Sequence, residues 1–219
     1  MQLDRRRFIG AALAASVAAC TTRSVAPPQV ATPAPAPLPM PETVPAVVAQ
    51  ADRPPLLAEA LAALDTHQIA ARDRLALVDF SLHSREPRLH LVDVASGRIE
   101  RSLLVAHGSG SDPEHCGLLQ LFSNVPGSNA SSNGAYLTAN PYFGQHGRSQ
   151  RLIGLDPSND MALDRAIVLH GADYVDPALI AAQGRIGRSQ GCFAVELGEI
   201  DAVMAQLGEG RLIYAGKLA

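Results

Sequence analysis

Apolar residues between positions 75 and 214 come in short runs rather than long stripes. Leu75-Ala76-Leu77-Val78-Asp79-Phe80 and Leu89-His90-Leu91-Val92-Asp93-Val94 are short apolar runs of strand length. Ala95-Ser96-Gly97 supplies a turn, so Arg98 to Ala106 is expected to return as the second arm of a hairpin. Further strands are predicted at Gly117 to Phe122, Gly134 to Thr138, Arg151 to Leu155, Ala166 to His170 and Arg211 to Tyr214. Helical spacing occurs twice. Leu56, Leu57, Ala60, Leu61, Leu64 and Ile69 form one stripe, predicting a helix over 55–71 whose apolar face reads as core packing. Ile200, Val203, Met204 and Leu207 form another within 197–207, stopped by Gly208 and Gly210. Many short strands, long Gly/Ser/Asn loops and few helices give a mainly β domain, a β-rich α+β fold. There is no internal repeat.

The first 20 residues follow a different rule. Arg5, Arg6 and Arg7 precede an uncharged run from Phe8 to Ala19. At about 12 residues this run is too short for a hydrocarbon core that needs about 20, so it predicts an export signal over 1–20. Asp4-Arg5-Arg6-Arg7-Phe8-Ile9-Gly10 resembles a twin-arginine signal, an ordinary secretory signal being the alternative. Val17-Ala18-Ala19-Cys20 resembles a bacterial lipoprotein cleavage box, with lipidation at Cys20, although the same residues suit plain signal cleavage. Thr21 rather than Asp after the cysteine fits outer-membrane retention. Residues 21–55 follow as a Pro-rich linker, since ten of the 16 prolines fall between Pro27 and Pro55. Such a chain is a semi-rigid spacer of about 3.1 Å per residue, long enough to tether a domain to a membrane anchor.

The remaining residues, 56–219, number roughly 160 and suit one well-buried core. Eighteen Lys+Arg against 21 Asp+Glu, with no basic cluster beyond the first residues, gives no reason to expect nucleic-acid binding. Three cysteines in 219 residues exclude a disulfide scaffold. A monomer is expected.

Candidate chemistry lies in two motifs. Ala166-Ile167-Val168-Leu169-His170-Gly171 is a buried-strand pattern ending in a histidine, whose position a strand would fix. Gly187-Arg188-Ser189-Gln190-Gly191-Cys192-Phe193-Ala194 puts a cysteine where a flexible loop meets an apolar run. A free thiol is mostly protonated near neutrality and needs a base to become a nucleophile, a task that suits histidine. Gly191 leaves room for a substrate carbonyl to reach local backbone N–H groups, as an oxyanion would require. On spacing alone, Cys192 is equally well an inert buried thiol or a disulfide partner of Cys116.

These residues resemble the L,D-transpeptidases of the YkuD-like superfamily, and more closely their divergent murein L,D-transpeptidase branch. The matching stretches are His170 to Val175 and Gly187 to Val195. Upstream, the likeness continues through Ala106 to Ser111, Phe122 to Asn124, Gly127-Ser128, Ser131-Ser132, Gly134 to Tyr136, Tyr142 to Gly147 and Leu152 to Leu155. The resemblance implies an L,D-transpeptidase-like β-sandwich or barrel. It also implies that Cys192 attacks the third residue of a peptidoglycan tetrapeptide stem and expels D-Ala. The acyl group then passes to an amine of a second stem, forming a 3-3 cross-link. His170 would be the base and the Gly171 carbonyl would orient it, while Ser189, Gln190 and Gly191 would surround the reacting carbonyl. No cofactor or metal is implied, the partners are stem peptides, and the place of work is the periplasm.

Two departures stand out. Gln190 replaces a second histidine common in the family, and Ala194 replaces an Arg or Asn. Arg188 is a candidate for binding a stem carboxylate through its fork of donors. His107 and His146 could line the cleft, and Ser123-Asn124 and Tyr136 could shape the substrate channel. Competing readings are an L,D-carboxypeptidase or wall-protein-releasing cysteine hydrolase on the same site, a metal peptidase using His107, His146, His170 and Asp173, and a non-catalytic wall-binding lipoprotein. The local pair His115-Cys116 is a distant rival site.

Overall fold

The computed structural model describes residues 54–218. The export signal, Cys20 and nearly all of the linker lie outside the described residues. The elements in order are α1 (Leu57–Thr66), β1 (Arg74–Asp79), β2 (Leu89–Asp93), β3 (Arg98–Leu103), β4 (Gly134–Gly144), β5 (Gly147–Gly154), β6 (Val168–Ala172), α2 (Pro177–Gln183), β7 (Phe193–Glu196), α3 (Ile200–Leu207) and β8 (Leu212–Gly216). All eight strands join one mixed sheet in the order β3-β2-β1-β8-β4-β5-β6-β7. The sheet is parallel at β1/β8 and β6/β7, and its other pairs are antiparallel.

Both faces of the central strands are covered, and the period-2 alternation of a strand sorts side chains between them. Leu75 and Leu77 of β1 pack with Ala135 and Leu212 against Leu57, Ala60 and Leu64 of α1. Ala76 and Val78 face the opposite way, into the main core with Tyr136, Phe193, Ile213 and α3 residues Val203, Met204 and Leu207. Leu64 is fully buried, so Leu64→Ala would cost about 2–5 kcal/mol. The domain is mainly β with short helices, as the apolar pattern indicated.

The sheet also bends far enough to bring its two edges together. Chain leaving β3, one edge, reaches β7, the other, where Ala106 N–H donates to the Ala194 carbonyl at 2.8 Å. That contact gives the barrel-like closure and places residues 104–109 directly beside the cysteine loop.

Several boundaries differ from the sequence reading. Residues 117–122 form no strand: Gln120 N–H bonds to the Ser111 carbonyl, and Leu118 and Leu121 are exposed. Gly117 at φ +88° turns the chain away from the sheet. The helices are shorter than their stripes, starting at Leu57 and Ile200. β3 stops at Leu103, and β4 runs past Pro141 to Gly144, turning through Gln145-His146 into β5. β6 continues two residues beyond His170, so the histidine sits inside the strand rather than at its end. α2 was not anticipated. Its signals are all local: Asp176 accepts from Ala178 N–H at 2.7 Å, Pro177 opens the helix and Gly184 ends it at φ +76°. It has no buried residue, and hence no apolar stripe to betray it.

Candidate active site

The site is built where β6 and β7 run side by side. Their parallel register pairs Leu169 with Phe193 and His170 with Ala194, so Cys192 enters β7 alongside the strand that carries the histidine. Both side chains line a cavity of about 450 Å³, together with His146, Arg165, Tyr174, Arg188, Ser189 and Gln190. Cys192 is 8% exposed and His170 1%, so both open on the cavity from a packed wall.

His170 is oriented by its own strand. Nδ1 lies 2.9 Å from the Gly171 carbonyl oxygen, which can only accept, so Nδ1 carries the hydrogen and Nε2 keeps its lone pair. A side chain at Gly171 would meet Leu197 Cα and Ile200 Cγ2 at 3.1 Å. Beside it on the cavity lining, the His146 ring stacks on His170 with centroids 4.3 Å apart.

The cysteine loop is held from within. Gly191 has φ +112°, and a Cβ there would lie 2.8 Å from the Ala130 carbonyl oxygen. Ser189 Oγ accepts from Gly191 N–H at 3.1 Å and donates to the Cys192 carbonyl at 2.7 Å. Of the local backbone N–H groups that a substrate oxyanion could use, that of Gly191 is thus engaged by Ser189. Ser189 staples the loop, whereas exposed Gln190 presents its side chain to the cavity. Arg188 lines the cavity but also donates to the Asp112 carbonyl.

Burial raises the Cys192 thiol pKa, with the Val168 N–H and Arg165 acting in the opposite sense. Burial lowers the pKa of His170; the Gly171 carbonyl opposes this and His146 adds to it. Both shifts favour a neutral thiol and a neutral imidazole at rest on the walls of one cavity.

Other expected residues lie elsewhere. Cys116 and Cys192 are both free, which excludes their disulfide. Tyr136 is a core residue, its hydroxyl donating to the Ser132 carbonyl at 2.7 Å and its ring edge-on to Phe193. Ser123 and Asn124 do not line the cavity; Ser123 instead offers its carbonyl to Arg165. His107 and Asp173 also lie outside the lining that His146 and His170 share, so the four proposed metal ligands do not converge.

His107 belongs to a buried network that sequence reasoning missed. Arg88 donates to His107 Nδ1 at 2.7 Å and to the Val105 and Leu82 carbonyls. His107 Nε2 lies 3.3 Å from Asp112 Oδ2, and Asp112 also accepts from the Cys116 and Gly117 N–H groups. Burial and the Arg88 charge hold His107 down to about 4, and hydrogen bonds hold Asp112 at about 2 despite its burial. The network stands behind the cysteine loop, because the His107 carbonyl accepts from Ser189 N–H at 2.9 Å. Arg165 was missed as well. Neither Arg88 nor Arg165 sits in a motif; only folding brings them near the cysteine loop.

A family model described as L,D-transpeptidase catalytic domain matches residues 50–215. The chain belongs to that family. Its fold is therefore that of an L,D-transpeptidase catalytic domain. No curated protein matches the chain. Among solved structures, it is similar to an L,D-transpeptidase from Mycobacterium smegmatis, at 11% identity over 66% of this chain and 58% of that one, with TM-score 0.39. A second is an L,D-transpeptidase from Xylanimonas cellulosilytica, 15% identical over 72% of this chain and 69% of that one, TM-score 0.37. A third is L,D-transpeptidase 3 from Mycobacterium tuberculosis in complex with a faropenem-derived adduct, 12% identical over 65% and 60%, TM-score 0.38. The chain thus spans less than two thirds of the length of the first and third.

Proposed function

We propose that the protein is an exported peptidoglycan L,D-transpeptidase with Cys192 as nucleophile and His170 as base. One observation carries the reading: thiol and imidazole open from neighbouring strands onto one cavity, the imidazole already oriented by Gly171 with Nε2 unprotonated. Family membership supplies the reaction class.

In this reading Nε2 takes the Sγ proton and the thiolate attacks the carbonyl carbon of the third stem residue. The bond to D-Ala breaks, and the departing amine takes the proton from His170. The resulting thioester is attacked by a side-chain amine of a second stem, which gives its proton to His170. The C–S bond breaks, a 3-3 cross-link forms, and Cys192 recovers its proton. Water in place of the amine yields a tripeptide, the carboxypeptidase outcome. Gln190 and Arg188 face the cavity and are positioned to contact the stem. Among the described residues no helix is long and apolar enough to cross a membrane. Attachment to the outer membrane would rest on lipidated Cys20, with residues 21–55 as the tether.

The test incubates purified wild type and Cys192→Ala with disaccharide-tetrapeptides and reads the products by mass. Dimers lacking one D-Ala support transpeptidation, and tripeptide alone supports hydrolysis. Identical profiles for both proteins, with sacculus binding retained, would leave only a wall-binding role.

A further inference from the structure

Arg165 is a guanidinium at the cavity wall without an anionic partner. Nη1 donates to the Ser123 carbonyl at 2.7 Å, and Nη2 donates to the Ala130 carbonyl and to Ser128 Oγ at 3.3 Å. All three acceptors are neutral, and among the described residues Arg165 forms no salt bridge. Its neighbour Asp164 lines the cavity but is exposed to solvent.

Two contacts set Arg165 and its chain neighbour against the cysteine loop. Nη2 lies 3.2 Å from the point where a side chain on Gly191 would begin, so the guanidinium packs closely against the bare backbone of the loop. The next residue, Ala166, offers its carbonyl to Cys192 Sγ at 3.6 Å. One dipeptide therefore touches both the sulfur and the residue before it.

We propose that Arg165 is the electrostatic partner of the Cys192 sulfur, a fixed cation that favours thiolate over thiol as the proton leaves. Arg165 and Cys192 line the same cavity, and a charge in a partly buried wall is screened far less than one in open water. Burial raises the Cys192 pKa and Arg165 opposes it; burial likewise lowers the pKa of Arg165, with Tyr136 and the Cys192 sulfur acting in the opposite sense. The other titratable or charged groups around the cavity are His170, His146, Tyr174, Arg188 and Asp164. His170 takes the proton in the proposed reaction, while Arg165 holds charge without exchanging it. The inference deepens the reading of Cys192 as nucleophile and rests on it for catalytic consequence, but its test reads the thiol alone.

The test alkylates the full chain with neutral iodoacetamide and anionic iodoacetate and reads adducts by mass at the Cys192 peptide, with exposed Cys116 as internal reference. Arg165→Met is expected to slow iodoacetamide at Cys192 about tenfold at pH 7 and move its pH profile upward, leaving Cys116 unchanged. Arg165→Lys should stay within about threefold of wild type, because it keeps the charge while losing the fork. A folded Arg165→Met with wild-type alkylation overturns the proposal. So does an Arg165→Lys as slow as the Met variant, since the loop clip rather than the charge would then be what mattered. If the Met variant shows no cooperative melt, the wild type decides. Its iodoacetate-to-iodoacetamide rate ratio at Cys192 should exceed that at Cys116 about fivefold and fall with added salt. Equal ratios overturn the idea. A charge effect in a protein that makes neither dimers nor tripeptide would sink acyl transfer and leave this inference standing.

Discussion

His146 at the β4–β5 turn and His170 in β6 stack their rings at 4.3 Å between centroids and 24° between planes. The pair joins an exposed hairpin tip to a buried group of the site. The His146 ring disfavours a positive charge on His170. Its removal therefore lets the His170 pKa rise. His146→Ala should lower activity at pH 5.5 about twofold more than at pH 7.5, and raise KM by opening one wall of the cavity. Unchanged KM and pH profile would show that the stack is incidental.

The directions of the two active-site shifts set the pH profile of turnover. His170 lies below its ordinary 6.5 and Cys192 above its ordinary 9.0. The acid limb of kcat/KM should then fall below 6.5 and the alkaline limb above 9.0, with a plateau between. His170→Gln should lower kcat on the order of 10²–10⁴-fold by removing the base. An acid limb at or above pH 7 would contradict the neutral resting pair.

Gly191 carries two requirements at once, a positive φ and space beside the Ala130 carbonyl. Gly191→Ala should displace the cysteine loop, lowering activity at least tenfold and stability by about 1–3 kcal/mol. Thermal melts alongside the turnover assay check both. Wild-type values would mean that the loop adjusts freely.

The Arg88–His107–Asp112 network predicts acid lability. The folded-state pKa of His107 is depressed from 6.5 to about 4, so the unfolded chain binds its proton first. Stability from this group is present above pH 6.5 and lost as pH falls toward 4, by about 3 kcal/mol in all. Asp112, depressed from 3.8 to about 2, adds a further loss between those values. Melting temperature should be flat above pH 6.5 and drop steadily below it. His107→Gln, which can still accept from Arg88 and donate to Asp112, should flatten the 6.5–4 window. Arg88→Met should cost about 3–5 kcal/mol by leaving His107 Nδ1 and the Val105 and Leu82 carbonyls without their buried donor.

The strands that were legible share a property. β1, β2, β6 and β8 each bury most of their length, so their apolar content shows in a window of five or six residues. β5 was caught only at its C-terminal half, because its start at Gly147-Arg148 is exposed. The false strand at 117–122 has the same apolar look, but Leu118 and Leu121 face solvent and no strand lies beside it. Apolar content reports what a segment would bury, and only a partner decides whether it does.

The amino-acid order alone determined the mainly β character and singled out His170, Gly171, Gly191 and Cys192, because each lies in a short motif whose meaning is local. Folding alone decided that β1 pairs with β8, that β3 curls round to β7, and that His146, Arg165 and the Arg88–His107–Asp112 network gather about one loop. Those contacts join residues up to 137 positions apart, as between Ala76 and Ile213, where no local periodicity carries the information. Hydrogen bonds and charges are satisfied in space by whichever group arrives, and arrival is set by the packing of the whole sheet.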